Sequence, residues 1–288
     1  MNKKHVHTLL TQAVALHQKQ QPAAAALYHE VLVEAPGHPE ALHLLGVIAL
    51  QGGAPQKAVS LIEQALAANP QAAAYHYNLG EAHRALKNFS RAEKSYQQCL
   101  ELESDHESAW AQLALVQHRQ RHFKAAALSY RRALSLRPDN PRTLNHLGLL
   151  LLAQHDFAAA KTLFLQALRY QPNYTEALHN LAVSLTQLGE LEKARESYQR
   201  LLTLAPGLPG IRNQFLRLLQ NTCDFNAYEK ELKIIRAQTK SALLENRRPD
   251  ESPFLNLTIS FAQEENLALA RLWSSQNLPE PAAPGHEL

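Results

Sequence analysis

The sequence predicts an all-α fold, a solenoid of helix-turn-helix hairpins, and three regularities in the chain support that prediction. The first is an alanine that recurs every 34 residues. A fixed period of this length indicates an internal repeat, in which each copy is one supersecondary unit that buries its apolar face against the next copy. The alanines are Ala24, Ala58, Ala92, Ala126, Ala160 and Ala194.

The second and third regularities keep the same register on either side of the alanines. A ring or a branched side chain follows each alanine by four residues, at Tyr28, Ile62, Tyr96, Tyr130, Phe164 and Tyr198. Eight residues further on lie Pro36, Pro70, Ser104, Pro138, Pro172 and Pro206. From the second copy onward, a leucine and a small residue precede the alanine, as Leu45-Gly46, Leu79-Gly80, Leu113-Ala114, Leu147-Gly148 and Leu181-Ala182.

In this register the chain resembles the tetratricopeptide repeat family, whose 34-residue unit carries Leu-Gly, then Ala, an aromatic residue and Pro. The resemblance covers residues 5–206 as six repeats. It departs from the pattern in the first copy, where Thr11-Gln12 takes the place of Leu-Gly. The resemblance implies a right-handed stack of hairpins, each with a first and a second helix.

Physical chemistry accounts for the residue types at these positions. The small residues after the leucines let the first helix approach the second closely, and the repeated alanines do the same from the second helix. The rings fill the space between neighbouring hairpins, which a single hairpin cannot bury by itself. Proline ends the second helix because it lacks an N–H donor and restricts the residue before it.

After Pro206 the pattern changes, although Ile211 to Gln220 still has the character of a first helix. In place of a second helix of the repeat type, Asp224 is expected to cap a helix that runs to about Leu244. A loop over 247–254 and a helix from about 263 to 274 should follow. The predicted domains are therefore six repeats at 5–206, a degenerate seventh unit with a helical junction at 207–275, and a Pro-rich linker or tail at 276–288.

This C-terminal part carries a second resemblance. A start at Cys223-Asp224-Phe225, a helix, then Pro253-Phe254 and a short helix with Asn266 and Ala270 resemble the junction after the repeats in O-linked N-acetylglucosamine transferases, including SPINDLY-like members. The resemblance implies a repeat arm that presents extended protein substrates to a two-lobed sugar-nucleotide domain. Those catalytic lobes have no counterpart before Leu288, so no residue is expected to be catalytic. Any enzymatic activity would be protein O-glycosyl transfer, which we do not expect from this chain in isolation.

The residue just before each conserved leucine should point into the concave groove that the first helices line. From the third copy onward this position is polar, at Asn78, Gln112, His146, Asn180 and Gln214. A carboxamide offers both a donor and an acceptor, so it can pair with one peptide unit whatever side chain that peptide carries. The series predicts a groove that binds extended or disordered segments of other proteins with loose sequence preference. The alternative is that these side chains are simply solvated.

Three other sites fit the sequence less well. A clamp for the C-terminal carboxylate of chaperones needs groove cations, and Arg84 and Arg142 are the ones expected in the middle copies. His118 and His122 lack further ligands at a metal-site spacing and are expected to face solvent. Neither a metal nor a cofactor is therefore predicted. A free-standing adaptor with no transferase link remains an alternative to the recruiting arm.

Composition limits the remaining function classes. The net charge of +3 is small and scattered, which argues against nucleic acid or an anionic membrane as the partner. No apolar run suits a membrane span and no signal peptide is recognised at the N-terminus. Cys99 and Cys223 do not form a disulfide framework. These features predict a cytoplasmic protein, and they leave its oligomeric state and protein partners open.

Overall fold

The structure, a computed structural model, describes residues 3–19, 21–245, 247 and 266–272. Within these residues it contains α-helices and no β-strand, which confirms the all-α fold. The first helices of the hairpins are α1 (Lys3–Gln18), α3 (Pro39–Gln51), α5 (Ala73–Ala85), α7 (Glu107–Arg119), α9 (Pro141–Ala153), α11 (Thr175–Gln187) and α13 (Ile211–Asn221). The second helices are α2 (Ala23–Glu34), α4 (Pro55–Ala68), α6 (Phe89–Leu102), α8 (Phe123–Leu136), α10 (Phe157–Tyr170), α12 (Leu191–Leu204) and α14 (Phe225–Leu244).

The helices belong to two units, residues 1–154 and residues 155–288. Unit 1 contains α1 to α9, and each of these helices packs against the next one in the chain. In unit 1, α3 also contacts α5 and α7 contacts α9, so in these two places the first helices of adjacent hairpins are direct neighbours. Unit 2 contains α10 to α14, again with each helix packed against the next, together with a helical segment at 266–272.

The repeated alanines and rings form the interior of both units, as the register predicts. Ala24 is 1% exposed and the other five alanines are fully buried. Five of the six large side chains that follow them are also fully buried, and Tyr198 is 3% exposed. The prolines act as expected: Pro70, for example, lies just beyond the end of α4 at Ala68.

The small residues of the first helices permit close helix contact, and two glycines show how close. A Cβ placed on Gly46 would lie 2.6 Å from Cγ1 of Ile62, and one on Gly80 would lie 2.5 Å from Cε1 of Tyr96. Both contacts lie within a hairpin. The rings therefore pack against their own first helix as well as against the next hairpin, where Tyr96 joins a cluster with Leu113 and Val116.

The turn between the two helices of a hairpin contains one residue with positive φ in every copy from the second to the seventh. These residues are Gly53 (75°), Lys87 (58°), Arg121 (64°), His155 (62°), Gly189 (75°) and Cys223 (55°). They recur at the 34-residue period. Glycine adopts this left-handed conformation freely, whereas other L-residues are disfavoured in it. Four of the copies therefore carry a small backbone strain that a glycine would relieve.

The seventh unit follows the predicted helix boundaries, with α13 over Ile211–Asn221 and α14 over Phe225–Leu244. Asp224 caps α14, since its Oδ1 accepts a hydrogen bond of 3.1 Å from the Ala227 amide. Helix α14 packs against α13 and begins 34 residues after α12, so it takes the place of a second helix, but its 20 residues exceed the 14 of α12. Its sequence is degenerate as well: the half-buried Tyr228 and Leu232 occupy the alanine and ring positions.

Parts of the predicted C-terminal region lie outside the described residues. This applies to Pro253-Phe254, to most of the expected loop over 247–254, and to the tail at 276–288. The helix expected from about 263 to 274 is helical over its described part, 266–272. Leu269 in that segment is fully buried. The predicted domain boundaries stay a prediction.

Candidate protein-binding site

The predicted groove residues lie on the first helices, each next to a buried side chain of the core. In unit 1, Asn78, Gln112 and His146 are half-buried and precede Leu79, Leu113 and Leu147, which are at most 9% exposed. In unit 2, Asn180 is half-buried and Gln214 is exposed. We call the surface that these residues occupy the first-helix face and describe it in each unit separately.

Asn78 is linked to the preceding hairpin. Its Nδ2 donates a hydrogen bond of 2.8 Å to Nε2 of His43. His43 is 7% exposed and stacks on Tyr75 with 4.2 Å between the ring centres. Burial, with the nearby charge of His17, lowers the pKa of His43 to about 4, so its ring is neutral and Nε2 can accept. One N–H and the oxygen of the Asn78 amide stay available for a ligand.

Gln112 differs because its amide makes no hydrogen bond within the described residues. Its Oε1 is buried without a donor. The residue as a whole is half-buried. A buried acceptor without a partner costs roughly 1–3 kcal/mol. Gln112 is therefore the member of the series whose carbonyl oxygen has no partner among the described residues.

His146 lies beside the buried ring of Tyr130, with 6.0 Å between the ring centres. Burial lowers the pKa of His146, and the charges of His118, Arg142 and Arg119 lower it further. Its imidazole is therefore neutral at pH 7, with one nitrogen donating and one accepting. The Tyr130 hydroxyl is buried, and no hydrogen-bond partner for it occurs among the described residues.

In unit 2 the carboxamide of Gln214 is already occupied. Its Oε1 accepts hydrogen bonds from Nε2 of His179 at 2.8 Å and from the hydroxyl of Tyr198 at 3.2 Å. The pairing of Gln214 with His179 joins the same repeat positions as that of Asn78 with His43, with the donor and the acceptor exchanged. In both cases the histidine lies 35 residues before the amide. The main-chain oxygen of Asn180 accepts from Ser184 Oγ at 2.9 Å.

Sequence reasoning missed these histidines and also misjudged the cations of the first-helix face. Arg84, expected to be a free groove cation, binds Glu81 at 2.6 Å, and Glu81 also accepts from the Tyr96 hydroxyl at 2.5 Å. Arg119, which was not expected, is exposed and close enough to influence His146. Among the arginines of the first helices in unit 1, Arg119 and Arg142 are therefore the ones with no ion pair to another described residue.

The expectation that His118 faces solvent is wrong. His118 is half-buried, and its ring meets Phe123 edge to face with 5.7 Å between the centres. Burial lowers its pKa, with a further contribution from Arg119. The first residue of α8 thus covers the last turn of α7. His122, one residue before α8, is exposed as expected.

Two classes of site find no support in the part of the chain that the structure describes. No cluster of three or more His, Cys, Asp or Glu side chains there has the arrangement of a metal site. Nor does any helix in those ranges combine the length and apolar character that a membrane crossing needs.

The comparison with protein families decides the identity of the fold. A family model described as the Cilia and flagella-associated protein 70 C-terminal domain, a tetratricopeptide repeat model, matches residues 3–207. The chain belongs to this family. As a tetratricopeptide repeat protein, it carries its helices at the register that the alanines predict. A search of curated proteins found no match.

Solved structures agree with the tetratricopeptide repeat fold. The chain is similar to PilF of Pseudomonas aeruginosa, with a TM-score of 0.61 and 21% identity over 69% of this chain and 91% of that one. It is similar to PilW, a type IV pilus biogenesis factor, with a TM-score of 0.61 and 18% identity over 69% and 92%. A third is YrrB, described as a TPR protein with an unusual peptide-binding site, with a TM-score of 0.54 and 17% identity over 62% and 93%. At these identities the comparison shows the fold alone.

Proposed function

We propose that this tetratricopeptide repeat protein is a protein-interaction scaffold whose first-helix face binds extended segments of other proteins. One observation carries the proposal. Gln112, at the centre of the polar series in unit 1, presents an amide that no other described residue uses, at the edge of a buried core. Such a group binds a peptide unit without selecting its side chain.

The neighbouring residues support the same role. Leu115 and Leu149 are half-buried on the helices that carry Gln112 and His146, so apolar contacts are available beside the polar ones. The bond between Asn78 and His43 holds the Asn78 amide in one orientation, which lowers the entropy lost on binding. Similarity to YrrB, described as having a peptide-binding site, adds an analogy of fold.

The test compares the wild-type chain with a variant in which Asn78, Gln112, His146 and Asn180 are changed to Ala. Proteins captured from a lysate by the two chains are identified by mass spectrometry. A matched control changes four exposed polar residues of the second helices, Gln64, Lys94, Lys124 and Gln199, to Ala. We expect the first variant to lose most of the captured proteins. The control variant should capture the same proteins as the wild-type chain. Identical sets from all three chains would exclude binding at this face.

A narrower proposal is that the scaffold is the substrate-recruiting arm of a protein O-glycosyltransferase-like protein. It rests on the junction that starts at Cys223-Asp224-Phe225, where Asp224 caps a helix of 20 residues. Sequencing the coding DNA beyond Leu288 tests it. A reading frame that continues into a sugar-nucleotide domain would support the recruiting arm, and a stop codon would favour the free-standing adaptor.

A further inference from the structure

Two second helices of unit 1 each expose a large apolar side chain. Val33 on α2 is 80% exposed and Leu128 on α8 is 66% exposed, and among the described residues of unit 1 these are the large apolar side chains that are more than half exposed. The repeat does not require them, because the same positions in the other copies are small or polar. Those positions hold Ala67, Glu101, Ser135, Arg169 and Thr203 for Val33, and Ala26, Ser60, Lys94, Thr162 and Glu196 for Leu128.

The exposed valine of α2 lies among acidic side chains. Glu30 lies one turn before Val33 and Glu34 follows it directly, and both are exposed. The helix contains no Lys or Arg. Neither carboxylate forms an ion pair with another described residue. We call the surface of Glu30, Val33 and Glu34 the acidic face of α2.

The exposed leucine of α8 lies among cations instead. Lys124 lies four residues before Leu128, and Arg131 and Arg132 lie three and four residues after it, so all three are its neighbours on the helix surface. All three are exposed, and α8 contains no Asp or Glu. Within the described part of the chain, none of them forms an ion pair. We call this surface the basic face of α8.

The two faces complement each other, since each has an apolar side chain beside charges of one sign and the signs are opposite. The other second helices of unit 1, α4 and α6, carry charges of both signs. The principal contacts of α2 are with α1 and α3, and those of α8 are with α7 and α9. The small net charge of the chain therefore includes two separate faces of opposite sign.

We propose that the acidic face of α2 in one copy of this chain docks on the basic face of α8 in a second copy. Val33 then packs on Leu128, and the carboxylates of the acidic face pair with the cations of the basic face. Docking of either face on its own counterpart would place like charges opposite each other, which is unfavourable. The contact is therefore heterologous, and each copy keeps one face unused. Such contacts extend into open chains or close into rings.

This self-association is separate from the proposed function, because it uses second helices and leaves the first-helix face of unit 1 uncovered. One helix face against another buries less than the roughly 1,200 Å² of a stable interface, so the contact is weak. Its formation should require concentrations between about 10 μM and about 1 mM.

The experiment follows the weight-average mass of the full chain by sedimentation equilibrium over that concentration range. We expect the mass of the wild-type chain to rise with concentration at low salt. The rise should diminish at 1 M NaCl, because the Debye length shrinks from about 10 Å at 0.1 M to about 3 Å at 1 M.

Variants of single faces locate the contact. E30Q/E34Q removes the charges of the acidic face, and R131Q/R132Q removes two charges of the basic face. Each should weaken self-association by at least about tenfold. An equimolar mixture of the two variants keeps one intact face of each kind. It should form 1:1 dimers with the affinity of the wild-type contact, and these dimers should not grow further. Dimer formation in the mixture also shows that both variants are folded.

Two control variants remove the same charges from exposed positions of the neighbouring second helices. E63Q/E101Q, on α4 and α6, matches the acidic change, and R91Q/K94Q, on α6, matches the basic one. Both should assemble like the wild-type chain. Equal weakening by a control and by its matched face variant would show a general effect of charge with no specific contact.

Three other outcomes would contradict the proposal. A wild-type chain that stays monomeric over the whole range would overturn it. Loss of assembly with R131Q/R132Q but not with E30Q/E34Q would mean that something other than α2 occupies the basic face. Growth of the mixture beyond dimers would exclude a heterologous contact between these two faces. None of the variants alters the first-helix face, so each of these results leaves the proposed function standing.

Discussion

The hydroxyl of Tyr96 lies 2.5 Å from Oε1 of Glu81, so the ring that fills the core of the third hairpin also ends in a hydrogen bond to the first helix. Glu81 in turn holds Arg84 at 2.6 Å. Removal of the carboxylate would leave the Tyr96 hydroxyl and Arg84 without this hydrogen-bond partner, and the hydroxyl belongs to a buried side chain. The structure thus makes Glu81 a stabilising residue, although its repeat position is apolar in other copies, for example at Leu115 and Leu149.

E81L should therefore lower the free energy of unfolding by roughly 1–3 kcal/mol, the cost of an unsatisfied buried hydroxyl. Urea denaturation followed by circular dichroism measures it. In a Y96F background the same change should cost less, because Phe has no hydroxyl to satisfy, and Phe164 shows that a phenyl ring fits this repeat position. Equal costs in the two backgrounds would mean that the bond contributes nothing to stability.

Ala126 is fully buried at the contact between α7 and α8. A126L should destabilise unit 1 by roughly 1–3 kcal/mol because the larger side chain forces the two helices apart. A67L, which introduces the same leucine at an exposed position of α4, is the control and should leave the melting temperature nearly unchanged. If A126L and A67L had the same melting temperature, the repeated alanines would not be the close helix contacts that the structure shows.

The left-handed turn residues predict opposite effects for two substitutions. R121G should raise the free energy of unfolding by about 0.5–1 kcal/mol, because glycine adopts the positive φ of 64° without strain. G189A should lower it by a similar amount, since alanine would be forced to φ 75°. The space around Gly189 is open, so only the backbone conformation is tested. A stabilising G189A would show that the turn relaxes to another conformation.

Acidic pH should weaken the fold through His43. Its pKa is about 4 in the folded chain against an ordinary 6.5, so below pH 6.5 the unfolded chain takes up the proton first. Stability is then lost as the pH falls from 6.5 towards 4, by roughly 2 kcal/mol between pH 7 and pH 5 from this residue. Burial lowers the pKa of His83 and His146 in the same direction.

H43Q tests this assignment by urea denaturation at pH 7 and pH 5. Glutamine keeps an acceptor for Asn78 but does not titrate. The difference in the free energy of unfolding between pH 7 and pH 5 should therefore shrink by about the contribution of His43. H76Q changes a more exposed histidine for which the structure shows a bond of 2.8 Å to the Pro70 carbonyl, and serves as control. An unchanged pH dependence in H43Q would show that His43 is not buried as described.

The repeat register was predictable because it depends on residue identity at a fixed period, and buried positions such as Ala126 and Tyr130 follow from it directly. The partners of the polar residues were less accessible. Whether Asn78 reaches His43 depends on the rotation between two hairpins. A hydrogen bond between residues 35 apart cannot be predicted from the local sequence around either one. The sequence does hold one usable signal. His43 and His179 each lie 35 residues before an amide side chain, Asn78 and Gln214 respectively.

The cations of the first-helix face could not be sorted from sequence for a similar reason. Arg84 and Arg142 look equivalent along the chain, but Glu81 neutralises one and leaves the other available. The peptide-binding role of Asn78, Gln112, His146, Asn180 and Gln214 stays a prediction that the capture experiment tests.

The recurrence of one turn conformation at Gly53, Lys87, Arg121, His155, Gly189 and Cys223 has a consequence for how such a gene can change. Two recombination breakpoints placed at neighbouring turns remove or add 34 residues, a second helix with the first helix that follows it, and every helix on either side keeps its own length. Side-chain pairings between copies are the part that does not survive. Loss of the residues between Gly53 and Lys87 would remove Asn78 and bring His43 opposite Gln112, which occupies the same repeat position one period later.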